Sequence, residues 1–166
     1  MSDKKVITVL LTRYYSTFSN FIYYTSGRGY THASIALDED GEYFYSFNMK
    51  GFRKEYPKKH KRRGAKSVCY KLEVTSEDYE IICQRVQEIE QEKEKFHYSR
   101  LGVLCCLLHI PLKRKYYYFC SQFVADLLQQ CKTVSMHKNT ALYLPNHLPE
   151  ELTHQRCLKE IVYNAI

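Results

Sequence analysis

Residues 67–78 read Ser67-Val68-Cys69-Tyr70-Lys71-Leu72-Glu73-Val74-Thr75-Ser76-Glu77-Asp78. Val68, Tyr70, Leu72 and Val74 fall on alternate positions, the spacing of a strand with one buried face. At Thr75 the period changes. Thr75-Ser76-Glu77-Asp78 is an N-terminal capping pattern, and Tyr79, Ile82, Cys83, Val86 and Ile89 then recur at helical spacing, predicting a helix to about Lys95. A half-buried strand running into an amphipathic helix needs a sheet with helices packed on it. Outward from this stretch the same two periods recur. Val6-Ile7-Thr8-Val9-Leu10-Leu11 is short, apolar and β-branched, and predicts a buried strand. Residues 16–24 predict a short helix capped by Ser16 or Thr17, with Gly27 just past its end. Residues 33–37 and 42–47 predict a hairpin around Asp38-Glu39-Asp40-Gly41. That acidic turn lacks the further oxygen ligands of a calcium loop. Helices are expected over residues 99–108, ending before Pro111, and from Cys120 with Phe123, Val124, Leu127 and Leu128 inward; residues 158–163 predict a closing strand. The expected class is α+β, an antiparallel sheet packed against helices, in a single domain spanning residues 1–166.

The chain has 166 residues, room for one core but not for two. No apolar run reaches the length of a membrane span, and residues 6–11 are too short for a signal-peptide core, so a soluble cytoplasmic protein is expected. Seven Cys without CxxC pairs suit reduced thiols better than a disulfide framework. Sixteen Tyr without a single Trp suggest that some phenols line a cleft. The net charge of +7 permits anionic partners without choosing among them. Much of it sits in Lys50 to Lys66, with nine Lys or Arg against Glu55. This run reads as a solvated loop able to touch anionic surfaces weakly; nucleic acid is not the expected partner.

Two segments carry candidate chemistry. Tyr30-Thr31-His32-Ala33-Ser34-Ile35-Ala36-Leu37 puts a His at the mouth of an apolar strand. Tyr118-Phe119-Cys120-Ser121-Gln122-Phe123-Val124 puts a Cys at the start of an amphipathic helix. Free first-turn N–H groups and the helix dipole favour a thiolate there and can hold an oxyanion, while an imidazole could take and return the proton. The plain alternative is that Cys120 packs in the core and His32 is structural. A third residue should accept a hydrogen bond from His32. A hairpin loop of three or five residues puts Ser46 and Asn48 on the His32 face; one of two or four puts Tyr45, Phe47 and Met49 there. Cys105, Cys106 and His109 share helical spacing but have no fourth ligand in reach, so packing is preferred to a metal site. His147 and His154 have no partner pattern, and no Gly-rich phosphate loop is present.

Both segments, with Tyr45-Ser46-Phe47 after the first, resemble a largely uncharacterised bacterial cysteine-hydrolase family. It is the circularly permuted, papain-like branch of the NlpC superfamily, in which His precedes Cys. The resemblance extends to residues 102–111 and covers most of residues 6–163. It implies a permuted papain-like fold, Cys120 as nucleophile, His32 as general base, and Ser46 as the favoured third residue, since relatives match the chain at Ser46 but tend to carry Gly where Asn48, chemically the better orienter, stands. It implies a thiol-dependent amidase or peptidase working through an acyl-enzyme on a peptide-like or acyl small molecule, with no cofactor and no metal. The alternatives are a lipid acyltransferase or lipase of the same fold, as in lecithin–retinol-type enzymes, and a non-catalytic polyanion-binding module.

Overall fold

A computed structural model of the protein describes residues 3–60 and 66–166. Its centre is β1, Lys4–Thr12, in which every residue from Ile7 onward is buried. On one side β1 pairs antiparallel with β2, His32–Ala36, setting Thr12 opposite His32. On the other it pairs antiparallel with β5, Ser67–Thr75, over its whole length. β3, Phe44–Asn48, and β4, Gly51–Glu55, extend the sheet beyond β2, and β8, Leu158–Tyr163, closes it beyond β5. The strand order is β4-β3-β2-β1-β5-β8, antiparallel throughout. Two short strands, β6 at His97–Tyr98 and β7 at Tyr117–Tyr118, form a separate parallel pair. With five helices among the described residues the class is α+β, as the change of period at Thr75 implies.

The helices begin where the capping residues place them. Ser16 accepts the Ser19 N–H and starts α1, Thr17–Thr25. Thr75 accepts the Asp78 N–H and starts α2, Ser76–Gln91. Ser99 accepts the Gly102 N–H and starts α3, Arg100–Leu107. α4, Cys120–Gln129, buries eight of its ten residues. A fifth helix, α5 at Leu148–Thr153, is not foreseen in the sequence reading; Pro149 and its six-residue length leave no readable period.

One expectation is overturned. Residues 50–66 do not form a single solvated loop, because Gly51–Glu55 is strand β4 and Pro57–His60 a 3-10 turn. The basic residues Lys61, Arg62 and Arg63 of that run lie outside the described residues. The strand exists because Asn48 and Gly51 pair across a two-residue turn, where Gly51 takes φ +98°. A side chain there is strained, and its Cβ would sit 2.8 Å from the Phe96 carbonyl oxygen.

Asp78, fully buried on α2, ties that helix to the loop following α4. Its carboxylate accepts the Lys132 and Thr133 N–H groups, each at 2.9 Å, and the Thr133 hydroxyl at 2.5 Å. Burial alone would raise its pKa, but these hydrogen bonds outweigh it and hold the carboxyl below its ordinary value. Its stabilising share is therefore present above about pH 4 and is lost as the pH falls through the lowered native pKa. Asp78→Ala should cost about 3 kcal/mol at neutral pH, read from urea unfolding, and the wild-type advantage should shrink in acid. Equal urea midpoints at pH 7 would contradict this account.

Candidate functional site

β2 begins at His32, at one end of the sheet, and α4 begins at Cys120. Apolar packing brings the two termini together, since the core that holds Ala33, Ile35 and Phe47 also holds Phe123, Val124 and Leu127. Both side chains are buried, Cys120 at 2% exposure and His32 at 7%, and both line one cleft of about 350 Å³. The thiol lies close enough to raise the proton affinity of the imidazole, as a hydrogen-bond partner and as a charge.

The partner of the imidazole is a carboxylate. His32 Nε2 lies 2.9 and 3.1 Å from the two oxygens of Glu55, the last residue of β4. Ser46, favoured for this role on the resemblance, does not fill it in this geometry. Ile35 pairs with Tyr45, the odd-numbered register that puts Ser46 and Asn48 on the His32 side by strand alternation. The Ser46 hydroxyl nevertheless donates to the Ala33 carbonyl at 2.7 Å, and Asn48 Oδ1 accepts the Lys50 N–H across the β3–β4 turn. Glu55 is the residue the sequence reading missed. It stood in view as the lone acid of the basic run, and Asn48-Met49-Lys50-Gly51 was the available signal for a turn into one more strand.

Burial pushes the His32 pKa down, but the Glu55 charge, the hydrogen bond Glu55 accepts and the neighbouring Cys120 sulfur outweigh it, leaving the imidazole well above its ordinary value. The Tyr14 ring stacks on it at 4.8 Å. Burial also raises the Tyr14 and Tyr98 phenols, so both remain neutral donors at physiological pH. Around them the cleft is apolar. Tyr15, Phe18, Ile22, Phe47 and Met49 contribute to its walls, with no Lys or Arg among the lining residues. The expectation that tyrosines line a cleft is met by Tyr14, Tyr15 and Tyr98.

The start of α4 suits a developing negative charge. Its N-cap is Phe119, whose side chain makes no capping hydrogen bond, and the first helical bond runs from the Phe123 N–H to the Phe119 carbonyl. The first-turn N–H groups are thus left uncapped by a side chain. Gln122 turns back instead, its Oε1 accepting the Phe119 N–H.

The remaining candidates fall elsewhere. Cys106 is buried beside Phe119 while His109 is exposed, and no group of three His, Cys, Asp or Glu among the described residues could hold a metal ion. His147 Nδ1 accepts the Leu144 N–H, and His154 Nδ1 faces the Glu150 carbonyl at 2.7 Å. Among the described residues no helix is long and apolar enough to cross a membrane.

No family model, curated protein or solved structure matches the chain.

If the Glu55 charge sustains the protonated imidazole, Glu55→Gln should move the His32 titration midpoint downward by one unit or more, on the order of a close ion pair, because the burial that lowers it would remain. NMR of the His32 ring carbons would follow this directly. An unchanged midpoint would show that the carboxylate does not set the proton affinity.

Proposed function

We propose that the protein is a thiol-dependent hydrolase or acyltransferase, built as a permuted papain-like domain, with Cys120 as nucleophile, His32 as base and Glu55 as the orienting carboxylate. One observation carries the reading. A Cys at a helix N-terminus and a His held by a half-buried carboxylate open onto the same cleft. Glu55 occupies Nε2, so Nδ1 is the nitrogen available to the thiol. With the thiol proton already held by His32, Cys120 Sγ attacks a carbonyl carbon as the thiolate. The carbonyl oxygen becomes an oxyanion facing the first-turn N–H groups of α4. When the carbon–heteroatom bond breaks, His32 protonates the departing amine or alcohol and a thioester remains on Cys120. Water, or the hydroxyl or amine of an acceptor, then gives up a proton to His32, attacks the thioester and releases Cys120 as the thiolate, which restores the starting pair.

Hydrolysis of a small peptide-like amide is one form of this reaction. Transfer or hydrolysis of an aliphatic acyl group is the second, and the cleft walls favour it. An apolar acyl chain would meet aromatic rings and Met49 there, and among the described lining residues no Lys or Arg waits for an anionic substrate. In the remaining alternative, a polyanion-binding module, Cys120 is a core residue and Cys120→Ala would leave function intact.

The nucleophile can be tested without a substrate. Burial raises the pKa of Cys69 to about 11 and of Cys106 and Cys131 to about 12, and it raises Cys83 and Cys157 as well. At pH 6, iodoacetamide should label Cys120 ahead of these five, as read by peptide mass spectrometry, and His32→Ala should slow that labelling about tenfold or more. p-Nitrophenyl esters of graded chain length should leave an acyl mass on Cys120, faster for longer chains if the apolar walls select the acyl group. Labelling of Cys120 no faster than Cys131 or Cys157, in folded protein where a small thiol reagent reaches it, would overturn the catalytic reading.

A further inference from the structure

Of the large apolar side chains that the fold leaves exposed, four lie within ten residues: Leu101 at 49%, Leu104 at 48%, Leu108 at 62% and Ile110 at 52%. Leu101, Leu104 and Leu108 recur at helical spacing along α3 and just past its end, so they form one stripe. The opposite side of the same helix is apolar too, with Val103 and Cys106 packed against Ile22, Phe119 and Leu144. A helix apolar all round calls for cover on both sides, and the described residues cover only one.

The charge around the stripe says what the cover is. No acidic residue occurs between Glu94 and Asp126. Arg100 stands exposed at the start of α3, and Lys113, Arg114 and Lys115 stand exposed just beyond Ile110. Among the described residues Lys113 alone of these four has a carboxylate partner, Asp126 at 3.3 Å, with its side chain still 47% exposed. Arg114 lies 4.0 Å over the Tyr117 ring and Lys115 5.0 Å from the Tyr116 ring. Leucines flanked by basic residues and tyrosines match the boundary between the acyl region and the headgroups of an anionic bilayer. A second copy of the chain would set these cations against their own kind, so self-association is disfavoured.

We propose that α3 and the residues after it, 100–115, form a docking face for an anionic lipid bilayer. The leucine stripe enters the headgroup boundary, and Arg100 with Lys113, Arg114 and Lys115 meets the lipid phosphates and carboxylates. This face is separate in sequence from the basic run at residues 50–66, and it stands whether or not Cys120 is a nucleophile. It does bear on the site. Tyr98, two residues before α3, lines the Cys120 cleft, and Phe119 packs against α3. Docking therefore sets the cleft close to the bilayer surface.

Sedimentation with vesicles tests the face, using phosphatidylcholine alone and phosphatidylcholine mixed with phosphatidylserine. The wild-type protein should sediment with the mixed vesicles at low salt and less in high salt. The double substitution Leu104→Glu/Leu108→Glu changes only exposed side chains, and circular dichroism would check that it folds. It should weaken binding about tenfold or more. Neutralising Lys113, Arg114 and Lys115 should weaken binding and flatten the salt dependence, whereas neutralising Lys58 and Lys59 should do neither. Cys120→Ala should bind as the wild type does, which separates a failure of docking from a failure of the catalytic reading. Three results would overturn the proposal: no binding to the mixed vesicles, full binding by the double glutamate variant, or a concentration-dependent dimer abolished by those glutamates without vesicle binding. The last would assign the stripe to a protein interface.

Discussion

Phe123 holds the two halves of the structure together. It stands one turn into α4, its ring 5.1 Å from Phe47 on β3, 6.0 Å from Phe52 on β4 and 6.5 Å from Tyr118 just before the helix. A buried side chain of this kind stabilises by roughly 2–3 kcal/mol through area alone, and edge-to-face ring contacts add to that. The geometric effect matters more than the sum. The ring fixes how far α4 slides along the sheet, and therefore where Cys120, three residues earlier, stands relative to β2. Phe47 in turn meets Phe96 and Tyr118, so the β6–β7 pair is held to the same aromatic cluster.

Against this apolar scaffold the His32–Glu55 pair is the costly element. Both side chains are largely withdrawn from water, at 9% and 16% exposure. Two charges taken out of solvent are compensated only by good geometry, which the two short contacts to one carboxylate supply. The residual effect is an imidazole that keeps its proton more tightly than a free one. Its contribution to stability is thus full below about pH 6.5 and fades as the pH rises through the elevated native value. The pair suits a site better than a core, because an apolar replacement would pack with less penalty.

How much of this could be read beforehand differs from element to element. The alternation from Val68 to Val74, the cap at Thr75 and the stripe through Ile89 were legible because burial acts on one face over many residues. Cys120 and His32 were legible for a related reason, since each sits where a clear period begins. Glu55 was not, because β4 is a sheet-edge strand of five residues in which only Gly51 and Phe52 are buried. Without a repeating buried face, Arg53, Lys54 and Glu55 looked like the charged loop that follows them. The β6–β7 pair has two residues per strand, too few for any period. The exposure of Leu101, Leu104 and Leu108 was hidden by the opposite ambiguity. A helix apolar on every side does not announce which side faces inward.

The two-residue turn between Asn48 and Gly51 has a consequence for how this chain can vary. A strand presents alternate side chains to alternate faces, so one residue gained or lost in that turn would reverse every side chain of β4. Glu55 would then point away from the imidazole, and Phe52 would leave the aromatic cluster, without any of these residues being substituted. The length of the turn is therefore as much a determinant of the site as the carboxylate itself. Surface loops usually accept insertions freely, but here drift in length would be filtered out while Met49 and Lys50 could change in identity.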